Sequence, residues 1–119
     1  MPFADTQARL EHIEEACAWA EQAILGKSFA DYQRDRTLRL AVERALEIIS
    51  EASRHVPDEL KAKHPQIPWR EVAAIGNRLR HGYDALDDRI IWQVVTLDLP
   101  ALRSVVDSLM SELGGERDG

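Results

Sequence analysis

The sequence predicts an all-α domain, an antiparallel bundle of four main helices plus short ones, on three observations. Apolar residues recur at spacings of three and four along the whole chain. No two segments alternate as paired strands would, and there is no internal repeat. The punctuating residues Gly26, Pro57, Gly82 and Gly114-Gly115 fall where periodic runs stop. At 119 residues the chain is the size of one domain. That domain is expected over 1–114, with 115–119 as a polar tail.

In the first helix Leu10, Ile13, Cys17, Ala20 and Ile24 form one apolar stripe, and Gly26 stops it. Ser28 followed by Asp31 has the spacing of a capping box and opens a short helical region. From Asp35 a long helix turns Leu38, Ala41, Ala45, Ile48, Ile49 and Ala52 inward, until Pro57 ends it. Pro57-Asp58-Glu59-Leu60 opens a further short turn. His64-Pro65-Gln66-Ile67-Pro68 is a stiff connector, because each proline fixes its own backbone and restricts its predecessor. Pro68 suits the first turn of a third main helix, which runs to His81 with Val72, Ile75 and Leu79 toward the core. Asp87 can cap a fourth helix holding Ile91, Val94 and Val95. Asp98, with Pro100 behind it, restarts the chain as a last helix built on Leu102, Val105, Leu109 and Leu113.

Composition excludes several classes. The net charge of −6 argues against a broad surface that coats nucleic acid, so any RNA contact must be a local patch. A single cysteine, Cys17, leaves no internal disulfide and fits a reducing cytoplasm; its alanine neighbours mark a small packed thiol. No run approaches the roughly 18 apolar residues that span a bilayer, so no membrane role is expected. His12, His55 and His64 lack metal-ligand spacing, and no phosphate-loop glycine string occurs, so neither a metal nor a cofactor is implied.

The chemistry concentrates in Gly76-Asn77-Arg78-Leu79-Arg80-His81-Gly82-Tyr83, which closes the third helix. With Arg70 set at zero on the helical wheel, His81, Asn77, Ala74 and Arg78 fall within about 80° of it. Val72, Ile75 and Leu79 fall on the opposite side, between about 140° and 200°. One face therefore gathers Arg70, Asn77, Arg78 and His81, with small Ala74 keeping it low enough for close approach by a ligand or a second copy. Arg80 projects nearer the edge. Imidazole moves protons near neutral pH and guanidinium holds phosphate oxygens, the minimum for phosphodiester chemistry without a metal. A solvated helix face has much the same composition. Two features distinguish this one: cations cluster at the helix C-terminus, where the dipole favours them, and Tyr83 adds a hydroxyl just beyond. A second group, Arg34, Arg36, Arg39 and Arg44, is diluted by acids. It can extend a phosphate-binding groove if the long helix lies beside the third.

The run Ile75–Tyr83 followed by Asp84, Asp87 and Ile90-Ile91-Trp92 resembles the HepT-like branch of the HEPN superfamily. So do Leu46-Glu47-Ile48-Ile49-Ser50-Glu51-Ala52 and Asp98-Leu99-Pro100-Ala101-Leu102, in the right order. The resemblance implies a helical bundle that pairs as a homodimer and cuts RNA without a metal, through arginine and histidine meeting at the interface. It also implies a toxin paired with a minimal nucleotidyltransferase antitoxin, which attaches AMP to the tyrosine two residues after the histidine. By position these are His81, Asn77 and Tyr83. The family's arginine, five residues before the histidine, is Gly76 here. Arg78, which shares the polar face with His81, is the expected substitute.

Three readings follow. In the first the protein is a ribonuclease: His81 acts as acid or base, Arg78 steadies charge, Asn77 orients, Arg70 and Arg80 bind substrate, and Tyr83 is the modified residue. The second is a non-catalytic subunit that docks a nucleotidyltransferase, favoured by Gly76. The third is a purely structural dimer.

Overall fold

The computed structural model describes residues 2–81 and 87–118, with side chains described for 5–80 and 87–114. Every described element is helical: α1 (Pro2–Ile24), α2 (Phe29–Arg34), α3 (Arg36–Ser53), α4 (Asp58–Lys61), α5 (Trp69–His81), α6 (Asp88–Gln93), a π-helical turn (Val94–Asp98) and α7 (Leu99–Asp118). α3 lies centrally, packed against α1 on one side and α5 on the other, and α1 also packs against α7.

The local signals act as expected at several junctions. Gly26, with φ of 75°, takes the left-handed turn after α1 that a Cβ would oppose. The Ser28 hydroxyl accepts from the Asp31 N–H at 3.1 Å, and the Asp31 carboxylate accepts from the Ser28 N–H at 2.9 Å. This closes the capping box of α2. Asp35 caps α3 through the Leu38 N–H at 3.1 Å, and Asp87 caps α6 through the Arg89 N–H at 2.9 Å.

Three expectations are corrected. On α3 it is Val42 that is fully buried, while Ala41 faces solvent. Burying the larger side chain removes more apolar surface from water. Asp98 does not restart the chain. Val94 and Leu99 both keep right-handed helical backbone, so α6, the π turn and α7 run on as one helical stretch. The Thr96 hydroxyl donates to the Trp92 carbonyl at 2.7 Å beside the wider turn. Finally, the helical backbone of α7 passes through Gly114 and Gly115 to Asp118.

The core joins Leu10, Ile13 and Cys17 of α1 to Val42, Leu46 and Ile49 of α3 and to Val106 and Leu109 of α7. Tyr32 is also fully buried, its ring 5.5 Å from Trp92, which docks α2 onto α6. Across the α1–α7 seam Arg103 reaches Glu21 at 2.5 Å and Glu14 at 3.8 Å. Burial pushes the Cys17 thiol up to about 12, with Glu21 adding to the effect, so it stays protonated and inert. No helix among the described residues is long and apolar enough to cross a membrane.

Candidate active site

α5 is fixed at both ends of its first half. Pro68 precedes it, and the Pro68 carbonyl accepts from the Val72 N–H at 3.0 Å. The Trp69 indole N–H donates to the carbonyls of Lys61 and His64 at 3.2 and 3.1 Å, tying the first turn to the connector.

The middle of the helix is held against α3 by polar contacts. The Ser50 hydroxyl, buried, donates to the Ala73 carbonyl at 2.7 Å and accepts from the Gly76 N–H at 3.1 Å. Arg54 donates to the same carbonyl from Nε at 3.3 Å and from a terminal nitrogen at 3.1 Å. A Cβ at position 76 would stand 2.7 Å from Ser50 Oγ and 2.9 Å from Ser50 Cβ. Glycine is what allows the two helices this close. Sequence reasoning missed Ser50 and Arg54. The available signal was a small hydroxyl residue within the apolar stripe of α3, matched by a glycine in α5.

The exposed face of α5 carries Arg70, Ala74, Asn77 and Arg78, while Val72, Ile75 and Leu79 rest half-buried on the core. His81 is the last residue of the helix; its side chain, and Tyr83 with the rest of the following segment, lie outside the described residues. Arg70, Arg78 and Arg80 are exposed and make no hydrogen bond or ion pair among the described residues.

The two arginines flanking Leu79 diverge. Arg78 lines a cavity of about 250 Å³, mostly apolar, whose walls include Leu46, Ile49, Ile75, Ile90 and Val94, with Glu71 and Asp98 also bordering it. Arg80 turns toward α3 and lines a groove with Arg9, His12, Arg44, Glu47 and Glu51. Its Nη1 is 3.7 Å from the place a Cβ at 76 would occupy. The long helix does lie beside the third, and of the second arginine group it is Arg44 that enters this groove. Arg34 is paired with Asp31 at 3.0 Å, and Arg39 donates to the Gln33 carbonyl. Among the described residues no three of His, Cys, Asp and Glu cluster as a metal site.

The sequence profile of the family described as "Ribonuclease HepT-like" matches residues 13–109. A probable ribonuclease HepT of Thermococcus cleftensis is 41% identical over 100 residues, covering 84% of this chain and 91% of that protein. A protein of Caldanaerobacter subterraneus named "Putative RNase" is 36% identical over 103 residues, covering 87% and 92%. One of the same description from Methanocaldococcus jannaschii is 35% identical over 107 residues, covering 90% and 98%. No solved structure matches the chain.

Proposed function

The chain belongs to the Ribonuclease HepT-like family, and from that premise we propose that it is a metal-independent endoribonuclease working as a homodimer, the toxin of a toxin–antitoxin pair. The observation that supports this most is the two-faced α5. Its inner side packs on α3, and its outer side holds Arg70, Asn77 and Arg78 exposed and, among the described residues, without ion-pair partners, on the helix that ends at His81.

In the proposed reaction a ribose 2′-hydroxyl loses its proton to a histidine and its oxygen attacks the adjacent phosphorus. The bond from phosphorus to the 5′-oxygen breaks, and that oxygen takes a proton from an imidazolium. Two copies of α5 facing each other across the low Ala74 surface would supply two His81 side chains, one for each transfer. Arg78 steadies the charge that builds on the non-bridging oxygens. Asn77 orients the substrate, and Arg70 and Arg80 hold neighbouring phosphates.

Purified protein should cut total RNA in the presence of EDTA, and His81→Ala should be slower by about 10²- to 10⁴-fold with an unchanged melting temperature. Equal rates for the two proteins would remove His81 from the chemistry, and an absolute need for Mg²⁺ would remove the metal-free mechanism.

Tyr83 is proposed as the residue that a minimal nucleotidyltransferase antitoxin modifies with AMP. The added phosphodiester charge would compete with RNA phosphate for the arginines. Incubation with that enzyme and ATP should add the mass of AMP to the wild type and nothing to Tyr83→Phe. Labelling of both, or of neither, counts against the assignment.

A second reading draws on Gly76. The family's arginine position is packed against Ser50, so the chain has no guanidinium there. A non-catalytic subunit that docks the nucleotidyltransferase would tolerate that loss. Under this reading the modification assay succeeds and the EDTA assay shows no cleavage.

A further inference from the structure

The groove on the Arg80 side of α5 has no role in the reaction just described beyond Arg80 itself. Its volume is about 280 Å³ and three helices contribute to it: α1 with Arg9 and His12, α3 with Arg44, Glu47, Ile48 and Glu51, and α5 with Arg80. The close Gly76–Ser50 contact is what draws α5 onto α3, so that Arg80 lies over position 76 beside the groove. Without it, the α5 cation would stand apart from the α3 cation.

The charges present are not locked together. Arg44 is 3.8 Å from Glu47 and Arg9 is 3.9 Å from Asp5, both long pairs with one well-exposed and one half-buried member, which a phosphate can replace. Glu51 is turned to His55, whose Nε2 is 3.3 Å away. Arg80 has no partner among the described residues. On a chain with net charge −6 the groove brings three arginines and a histidine against two glutamates. From Arg44 to Glu51 it follows α3 for seven residues, roughly 10 Å at the rise of an α-helix. That is longer than one phosphate needs. Ile48 and Ala52 add an apolar floor on which base faces can rest.

We infer that this groove is a second binding subsite for the backbone of a single-stranded RNA, leading along α3 away from the His81 end of α5, with Arg44 and Arg9 as phosphate contacts and Arg80 joining it to the active face. The inference rests on the ribonuclease reading and extends the length of substrate that reading requires.

The test uses full-length His81→Ala protein, which keeps RNA intact, and a labelled single-stranded RNA oligonucleotide titrated over a range of KCl concentrations. Each phosphate contact on a single strand contributes about 0.7 to the slope of log K against log salt. Arg44→Gln and Arg9→Gln should each lower the slope by about that amount. Arg34→Gln, the same charge change outside the groove, should leave it unaltered. If all three variants shift the slope alike, only overall charge is at work and the subsite is refuted. If AMP displaces the oligonucleotide at equal concentration, the groove is a nucleotide pocket and not a strand path. The reading beneath it stands or falls separately: cleavage by the wild type with no slope change in Arg44→Gln removes the subsite alone. Absence of both RNA binding and cleavage removes the ribonuclease reading as well.

Discussion

Leu10, Ile13 and Cys17 of α1, and Val106 and Leu109 of α7, have no exposed surface where their helices meet, and Arg103 spans the seam to Glu14 and Glu21. The α3–α5 seam is built differently. Its closest contact is a serine hydroxyl and an arginine on one carbonyl, against a glycine that cannot gain a Cβ without a shift. Apolar burial is non-directional and tolerates small sliding, whereas hydrogen bonds to a helix backbone fix rotation and height together. The first seam supplies stability and the second sets where the polar face of α5 points.

That contrast predicts different outcomes for a substitution in each seam. Leu109→Ala empties a fully buried site and should cost about 2–5 kcal/mol in denaturant unfolding, the largest stability effect expected here. Its RNA cleavage per folded molecule should match the wild type. Gly76→Ala is the converse. A glycine-to-alanine change inside a helix ordinarily gains up to about 1 kcal/mol. Here the new methyl meets Ser50 at 2.7 and 2.9 Å, and overpacking of this kind costs about 1–3 kcal/mol. A net loss of about 1 kcal/mol is therefore expected, together with a fall in cleavage per folded molecule as α5 is pushed off α3. Were Leu109→Ala to impair cleavage and Gly76→Ala to leave it intact, the division between the two seams would be wrong.

Much of the fold was legible because short-range signals decided it. Ser28 with Asp31, Asp35 and Asp87 each cap through their own neighbours, and nothing distant competes. The core stripes of α1 and α7 were legible because large apolar residues recur there without ambiguity. Where the pattern offered two adjacent choices, as at Ala41 and Val42, the larger side chain went inside. The π turn was not legible: Pro100 reads as a restart, but the helical backbone continues through it, the Leu99 N–H just before it donating to the Val94 carbonyl across the wider turn. In the site, the exposed face of Arg70, Asn77 and Arg78 followed from helical angle alone. The direction of Arg80 did not, because it depends on how closely α3 approaches, and that distance is set by two residues far apart in sequence, Ser50 and Gly76.

The smallest effect expected concerns the junction where α2 meets α3 and α6, outside both seams. Burial, helped by the charge of Asp88, holds the Glu43 carboxyl above its ordinary range, with Arg39 opposing the shift and Glu47 adding to it. Tyr32 lies among the same charges, its buried hydroxyl without a hydrogen-bond partner among the described residues and its ionisation pushed far up by burial. For a carboxyl raised on folding, the native state binds the proton more tightly than the unfolded chain. The penalty is thus absent at acid pH, where both states are protonated, and grows as pH rises through the unfolded and then the folded range. At neutral pH it is present in full. Glu43→Gln removes the charge and keeps the size, so it should raise the melting temperature slightly at neutral pH. The difference from wild type should shrink to nothing as the pH is lowered below the carboxylate range. A variant less stable at neutral pH would mean that Arg39 outweighs burial and Asp88, and that the junction is held together by its charges instead of strained by them.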